Sequence, residues 1–274
     1  MPDWATFAGF AGVVLVLLLL LAHASKAAVS GDALPRSDWS RPRPGSVDPA
    51  VADVHVRLAD RVLDSPTRHG EPTDRPHATP QLSTIALLAN VAVSQGTFGL
   101  LLLAGAWFTQ IPLAAFGVSS SLVSASMLGV GVALGVALYV ANEAGASVGE
   151  RLGIGADEGL REALAPDSLG GWAVLLFLVL PIIAGFEELL FRGVLVGVFS
   201  AGFGVSPWLL ALGSSVAFAL GHGAQGPAGI VVTGVLGFVL AAAFVLTGSL
   251  AVVVVAHYLV NALEFLVHEG VGVG

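Results

Sequence analysis

Residues 183–193 run Ile183, Ala184, Gly185, Phe186, Glu187, Glu188, Leu189, Leu190, Phe191, Arg192, Gly193, placing two carboxylates and a guanidinium inside an otherwise apolar stretch. An ionisable group deep in hydrocarbon costs about 2.5 to 3.5 kcal/mol on insertion scales, so each one is a functional candidate by default. Helical geometry separates the three. Glu188 and Arg192 are four apart with the acid N-terminal, the favoured order for an ion pair on one face. Arg192 keeps its charge in any environment and so requires a partner; the plain reading of the pair is structural. Glu187 is rotated by about 100 degrees from that face and left unpaired. A carboxylate in apolar surroundings holds its proton more tightly than in water, which makes it a usable general base near neutral pH. The competing reading is a protonated group that hydrogen-bonds a neighbouring helix.

Two further segments carry chemistry. Phe218 and His222 are four apart, so the phenyl ring lies over the same helix face as the imidazole. A lone histidine near the end of a span is ordinarily interfacial, and it is the two glutamates that raise the weight of this one. His257 and Asn261 repeat the spacing near the middle of another apolar stretch; such a pair could hold a developing oxyanion or tie helices together. Glu264 and His268 continue that face towards the lipid headgroups. Asn90, Ser94 and Gln95 form a polar patch read as helix packing, and Gly129, Gly131, Gly135, Gly234 and Gly237 as sites of close helix contact. There is no cysteine, which removes thiol nucleophiles, thiolate metal sites and disulfides. No phosphate-cradling glycine loop, G-x-S-x-G elbow or H-E-x-x-H pair is present.

The elements that must position these residues follow from composition. The chain is 55% hydrophobic and 11% charged with mean hydropathy +0.88, against about 25% charged in soluble domains. Apolar stretches recur at about 4–24, 83–107, 120–141, 171–199, 207–221, 227–246 and 249–267, and roughly 20 helical residues cross a bilayer. The expected architecture is all-α, a polytopic transmembrane helical bundle of about seven spans. The piece 111–118 is too short to span and is expected to lie at the interface or re-enter. Residues 1–24 read as an N-terminal transmembrane anchor, because Asp3 stands where a secretory signal carries positive charge.

Residues 25–81 hold eight of the 14 prolines and eight of the 11 Lys+Arg beside eight acidic residues, and read as a polar, largely disordered cytoplasmic linker. Val51, Val54, Leu58 and Val62 suggest a short surface helix within it, and 157–164 reads as another exposed helix. Residues 82–274 form the transmembrane domain. The Lys and Arg bias of the loops puts the linker and the C-terminus in the cytoplasm and the N-terminus outside. A net charge of −8 with one lysine excludes a polybasic surface for nucleic acid or anionic lipid.

Taken in order, Glu187-Glu188-x-x-x-Arg192, Phe218-x-x-x-His222 and His257-x-x-x-Asn261 resemble the three motifs of the CAAX-protease and bacteriocin-processing (CPBP, or Abi) family, over roughly 171–267. The resemblance implies a CAAX-protease-like intramembrane core and a glutamate-dependent endopeptidase of the cell membrane. Its substrate would be a protein or peptide at the bilayer, and CAAX-type C-terminal processing is what one branch performs. On that likeness Glu187 and His222 activate water, His257 and Asn261 hold the oxyanion, Glu188 is held by Arg192 in support of the site, and Phe218 shapes it. No cofactor is expected; zinc on two histidines and a glutamate is the disfavoured alternative. A non-catalytic membrane scaffold or immunity-type protein is the runner-up, and a transporter with Glu187 as proton relay the third reading. One geometric difficulty stands: Glu187 lies about 16 residues into its segment while His222 closes the next, so simple antiparallel packing leaves them at different depths. A break near Pro181 and Gly185, or a helix protruding into the cytoplasm, would bring them together.

Overall fold

The computed structural model describes residues 1–29, 83–121, 124–151 and 159–270; the linker and its expected helix at 51–62 lie outside the described residues. The architecture is an all-α bundle, without a strand among the described residues. Its helices are α1 (Trp4–Val29), α2 (Thr84–Phe108), α3 (Ala125–Arg151), α4 (Gly159–Leu164), α5 (Leu169–Phe203), α6 (Pro207–Gly221), α7 (Gly226–Thr247) and α8 (Leu250–Glu264), the last continued by a π-helical stretch Phe265–Gly270. Six of them are long and apolar enough to cross a membrane; α6, at 15 residues, is the exception to the expected seven. At 1.5 Å per residue α6 spans about 22 Å, short of the roughly 30 Å hydrocarbon core.

The outer faces are apolar, with Leu100, Phe177, Leu209, Val231 and Val235 exposed, as a hydrocarbon solvent allows. Inside, α1 contributes Phe7, Ala11 and Val14 to a buried cluster with Leu102, Phe186, Leu190, Phe191 and Phe218. The short piece after α2 packs onto the bundle: Phe116, in a single 3-10 turn, is buried edge-on against Phe7, and Gly117 accepts the Leu250 amide at 3.1 Å. Nor is α4 a freely exposed helix. Leu164 is buried and Arg161 pairs with Glu264 and Glu269.

Helix α5 shows how the depth difficulty is resolved, and neither expected device alone does it. Pro181 lacks the N–H that a regular helix needs and its ring would strike the preceding turn. The strain goes into a π-helical stretch, Leu175–Val179, just ahead of it, and Gly185 stays inside the regular turn Leu180–Glu188. A second π stretch covers Leu189–Val198. The helix is therefore widened, not broken. Its 35 residues then run to Phe203, further than the sequence suggested. The tight turn at Gly204, in the left-handed region at φ 67, feeds directly into α6 at Pro207. Glu187 is 16 residues before Phe203 and His222 is 15 after Pro207, so both arms descend about 22 to 24 Å from one turn. The hairpin brings them level.

Trp4, Trp107 and Trp208 all lie at the turn end of the bundle, where indole rings mark a membrane–water interface. Even with the smaller rise of its π-helical stretches, a helix of 35 residues exceeds the roughly 30 Å hydrocarbon core; with that end taken as one surface, α5 would emerge from the other and Glu187 would lie a few ångströms inside it. Gly131 and Gly135 let α3 lie almost backbone to backbone on α8: a Cβ at either would come within 2.8 Å of the Val252 or Ala256 carbonyl. Gly129, grouped with them by sequence, faces open space.

Gly117 and Gly204 both need positive φ, at 74 and 67 degrees, but a Cβ on Gly117 would also lie 2.6 Å from the Gly248 carbonyl while one on Gly204 meets nothing within 4 Å. Left-handed backbone alone costs an L-residue about 1–2 kcal/mol. Gly204→Ala should therefore lower stability by about that amount and Gly117→Ala by clearly more, as read from the shift in thermal unfolding in detergent; equal shifts would contradict the close contact.

Candidate active site

Three apolar helices each present one motif to a common point. α5 carries Glu187, Glu188 and Arg192, α6 ends in Phe218 and His222, and α8 carries His257 and Asn261. Apart from the half-buried His222 and Asn261 all are buried, Glu188 and Arg192 completely.

The arginine is met from three helices. Nη1 donates to Glu188 Oε1 at 2.6 Å within α5, and Nη2 donates to the Gly237 carbonyl of α7 at 2.8 Å. The Phe218 ring lies 4.6 Å from the guanidinium carbon, within cation–π range. Gly237 matters for a reason beyond packing: a Cβ there would press within 3.0 Å of the Phe218 ring and 3.4 Å of Arg192 Nη2. Glu188 Oε1, besides holding Arg192, takes His257 Nδ1 at 2.7 Å. The expected pair is in fact a triad, Arg192–Glu188–His257, which the linear sequence did not disclose because its third member is 65 residues from Arg192.

Phe218 is the apolar hub, edge-on to Phe191 at 5.0 Å and to His257 at 5.9 Å, and tilted on His222 at 4.5 Å between ring centroids. His222 Nδ1 lies 2.9 Å from the Phe218 carbonyl. A carbonyl only accepts, so Nδ1 carries the hydrogen and Nε2 is the proton-accepting nitrogen of the neutral ring. That nitrogen faces Glu187 Oε2 at 4.0 Å, and His257 Nε2 faces the same oxygen at 3.8 Å. Oε2 itself is buried and hydrogen-bonded to nothing. The other oxygen, Oε1, accepts from Gln95 Nε2 of α2 at 3.3 Å.

The structure thus brings together Glu187, Glu188, Arg192, Phe218, His222 and His257. Asn261 lies one turn beyond His257 and is half-buried, and its side-chain amide makes no hydrogen bond among the described residues. Glu264 and His268 have partners within the bundle. Glu264 accepts from Asn142, and His268 Nε2 lies 2.9 Å from Glu143 and 3.6 Å from Glu264. Among the described residues, the set of three His and carboxylate ligand atoms that all lie within 4.8 Å of one another is this one, from Glu143, Glu264 and His268; the three motifs supply close pairs but no such set. Sequence reading also passed over Gln95 and Gly237 as packing residues. The signal available was the isolation of Gln95's long amide in an apolar helix, which alone does not point to a partner.

A buried ion pair that loses one member leaves an uncompensated charge, at a cost of about 3–5 kcal/mol, whereas replacing both is far milder. Arg192→Met should therefore strongly destabilise the protein, and Glu188→Gln with Arg192→Met should recover much of the loss in thermal unfolding. A double variant no more stable than the single would argue against the pair as drawn.

Residues 170–263 match the family model described as type II CAAX prenyl endopeptidase Rce1-like, which places that stretch in the CPBP family. No curated protein and no solved structure matches the chain.

Proposed function

We propose that this chain is an intramembrane endopeptidase of the cell membrane that hydrolyses peptide bonds of membrane-associated proteins, with CAAX-type C-terminal segments as the first substrate class to test. One observation carries the reading: a buried, unbonded carboxylate oxygen of Glu187 stands 3.8 and 4.0 Å from the Nε2 atoms of two histidines. Those gaps are too long for direct hydrogen bonds; a slight parting of the three groups would admit a water shared between them.

In the reaction, Glu187 and His222 take a proton from water as its oxygen attacks the scissile carbonyl carbon. His257, its Nδ1–H given to Glu188 and its Nε2–H turned to the substrate, steadies the oxyanion with the free amide of Asn261. The C–N bond then breaks as the proton passes to the leaving amine, giving a carboxylate and an amine. Arg192 holds Glu188, and Glu188 holds the His257 ring through Nδ1, so that Nε2 points to the reacting centre. Full burial of Arg192 and Glu188 and the ring of Phe218 keep bulk water from that pair. The depth argued above sets the site close to the surface at which α5 emerges, which the loop charges assign to the cytoplasm, and there a tethered peptide can enter. The reaction as written uses no metal. Zinc on Glu187, His222 and His257 is the rival, since these are donors zinc accepts.

Purified protein in detergent should cleave membrane-tethered or C-terminal peptides, while Glu187→Gln and His222→Ala lose at least about a hundredfold with thermal unfolding unchanged. Full activity in both variants would sink the proposal. Loss of wild-type activity on adding a chelator would transfer the chemistry to the metal reading, and absence of cleavage across the substrates would favour a non-catalytic scaffold.

A further inference from the structure

Gln95 lies on α2, outside the matched stretch 170–263, and nothing in the three motifs calls for it. Its Nε2 donates to Glu187 Oε1 at 3.3 Å. An ionised carboxylate only accepts, so the amide nitrogen, not the amide oxygen, must face it. The amide oxygen is consequently left buried with no hydrogen-bond partner. A glutamine kept for helix packing is ordinarily satisfied at both ends, because an unpaired buried acceptor is costly.

The surrounding packing fixes where this amide can reach. Gly96 and Gly99 lie on the face of α2 turned to α5, where a Cβ would make ordinary contact with Ile182 at 3.9 Å and Phe186 at 3.7 Å. Phe98 stacks on Phe186 with centroids 6.2 Å apart, one residue before Glu187. α2 is therefore clamped onto α5 at 182–186, and the side chain one residue before Gly96 comes to Glu187.

We propose that Gln95 is a positioning residue of the active site: by occupying Glu187 Oε1 it fixes the carboxylate rotamer and leaves Oε2 as the oxygen that faces His222 and His257. The inference rests on the peptidase reading above. It also makes the site a product of four helices rather than the three that carry motifs, so that α2, before the matched stretch, is part of the catalytic unit. Without the hydrogen bond to Oε1 the carboxylate is free to turn Oε2 away from the two imidazoles, and the reaction slows.

The test compares wild type with Gln95→Leu and Gln95→Glu, with Ser94→Ala as a control on the same helix. Gln95→Leu should lower kcat about ten- to a hundredfold with KM within about twofold. Gln95→Glu should lower kcat at least as far, because a carboxylate offers Glu187 Oε1 no donor, and Ser94→Ala should leave it unchanged. A Gln95→Leu enzyme with unchanged kcat, in a preparation where Glu187→Gln is inactive, overturns the inference and leaves the peptidase reading standing. A second measurement needs no substrate. The carboxylate infrared stretch that disappears in Glu187→Gln should shift in frequency in Gln95→Leu, because Oε1 loses its donor, and an unmoved band overturns the inference whatever the activity.

Discussion

A guanidinium that cannot lose its charge, placed where no water reaches it, dictates much of the interior of this protein. Arg192 is fully buried, and its charge must be met by acceptors from its own surroundings. Glu188 meets it from the same helix, the Gly237 carbonyl from α7 and the Phe218 ring from α6. Each partner in turn constrains something else. Glu188 reaches on to His257 and thereby fixes the rotation of α8; Gly237 must stay without a side chain; Phe218 must present its ring, which seats the imidazole of His222. The arginine need not touch a substrate to decide where the groups that would touch one are found.

The second organising constraint is length. Two helices leaving one turn can meet side chain to side chain only at equal distances from it, and the hairpin around Gly204 satisfies this for Glu187 and His222. The third helix, α8, is set against them by α3 through the flush contact at Gly131 and Gly135, which leaves α8 no room to slide or roll. Small residues thus act at a distance: they set the spacing of backbones, and the backbones set the spacing of the polar atoms.

Much of this was legible in the sequence, for physical reasons. Charged residues in apolar stretches are so costly that Glu187, Glu188, Arg192 and His257 announced themselves, and four-residue spacing gave the Glu188–Arg192 bond without a structure. The helical class and the helix positions followed from hydropathy. What was not legible depended on relations between helices. The bond from Glu188 to His257, the carbonyl of Gly237 and the amide of Gln95 each cross from one helix to another, and no periodicity within a single helix encodes a crossing. The depth of Glu187 was misjudged because α5 was ended near Phe199, whereas its π-helical stretches carry it on to Phe203. The partners of Glu264 and His268 are likewise invisible to sequence spacing, because Asn142, Glu143 and Arg161 come from elements more than a hundred residues away.

The shortness of α6 has a further effect. Its outward row, Leu209, Leu212, Val216 and Leu220, is exposed and apolar, yet it stops about 8 Å before a full hydrocarbon core would. Beyond it comes a turn whose Gln225 side chain is tied to Thr233. Lipid beside α6 must therefore shorten its chains or leave polar groups in oil, and a bilayer answers such a mismatch by thinning locally. Thinning of that kind would bring the headgroup layer towards the level of His222, and would make bilayer thickness a variable of the proposed peptidase.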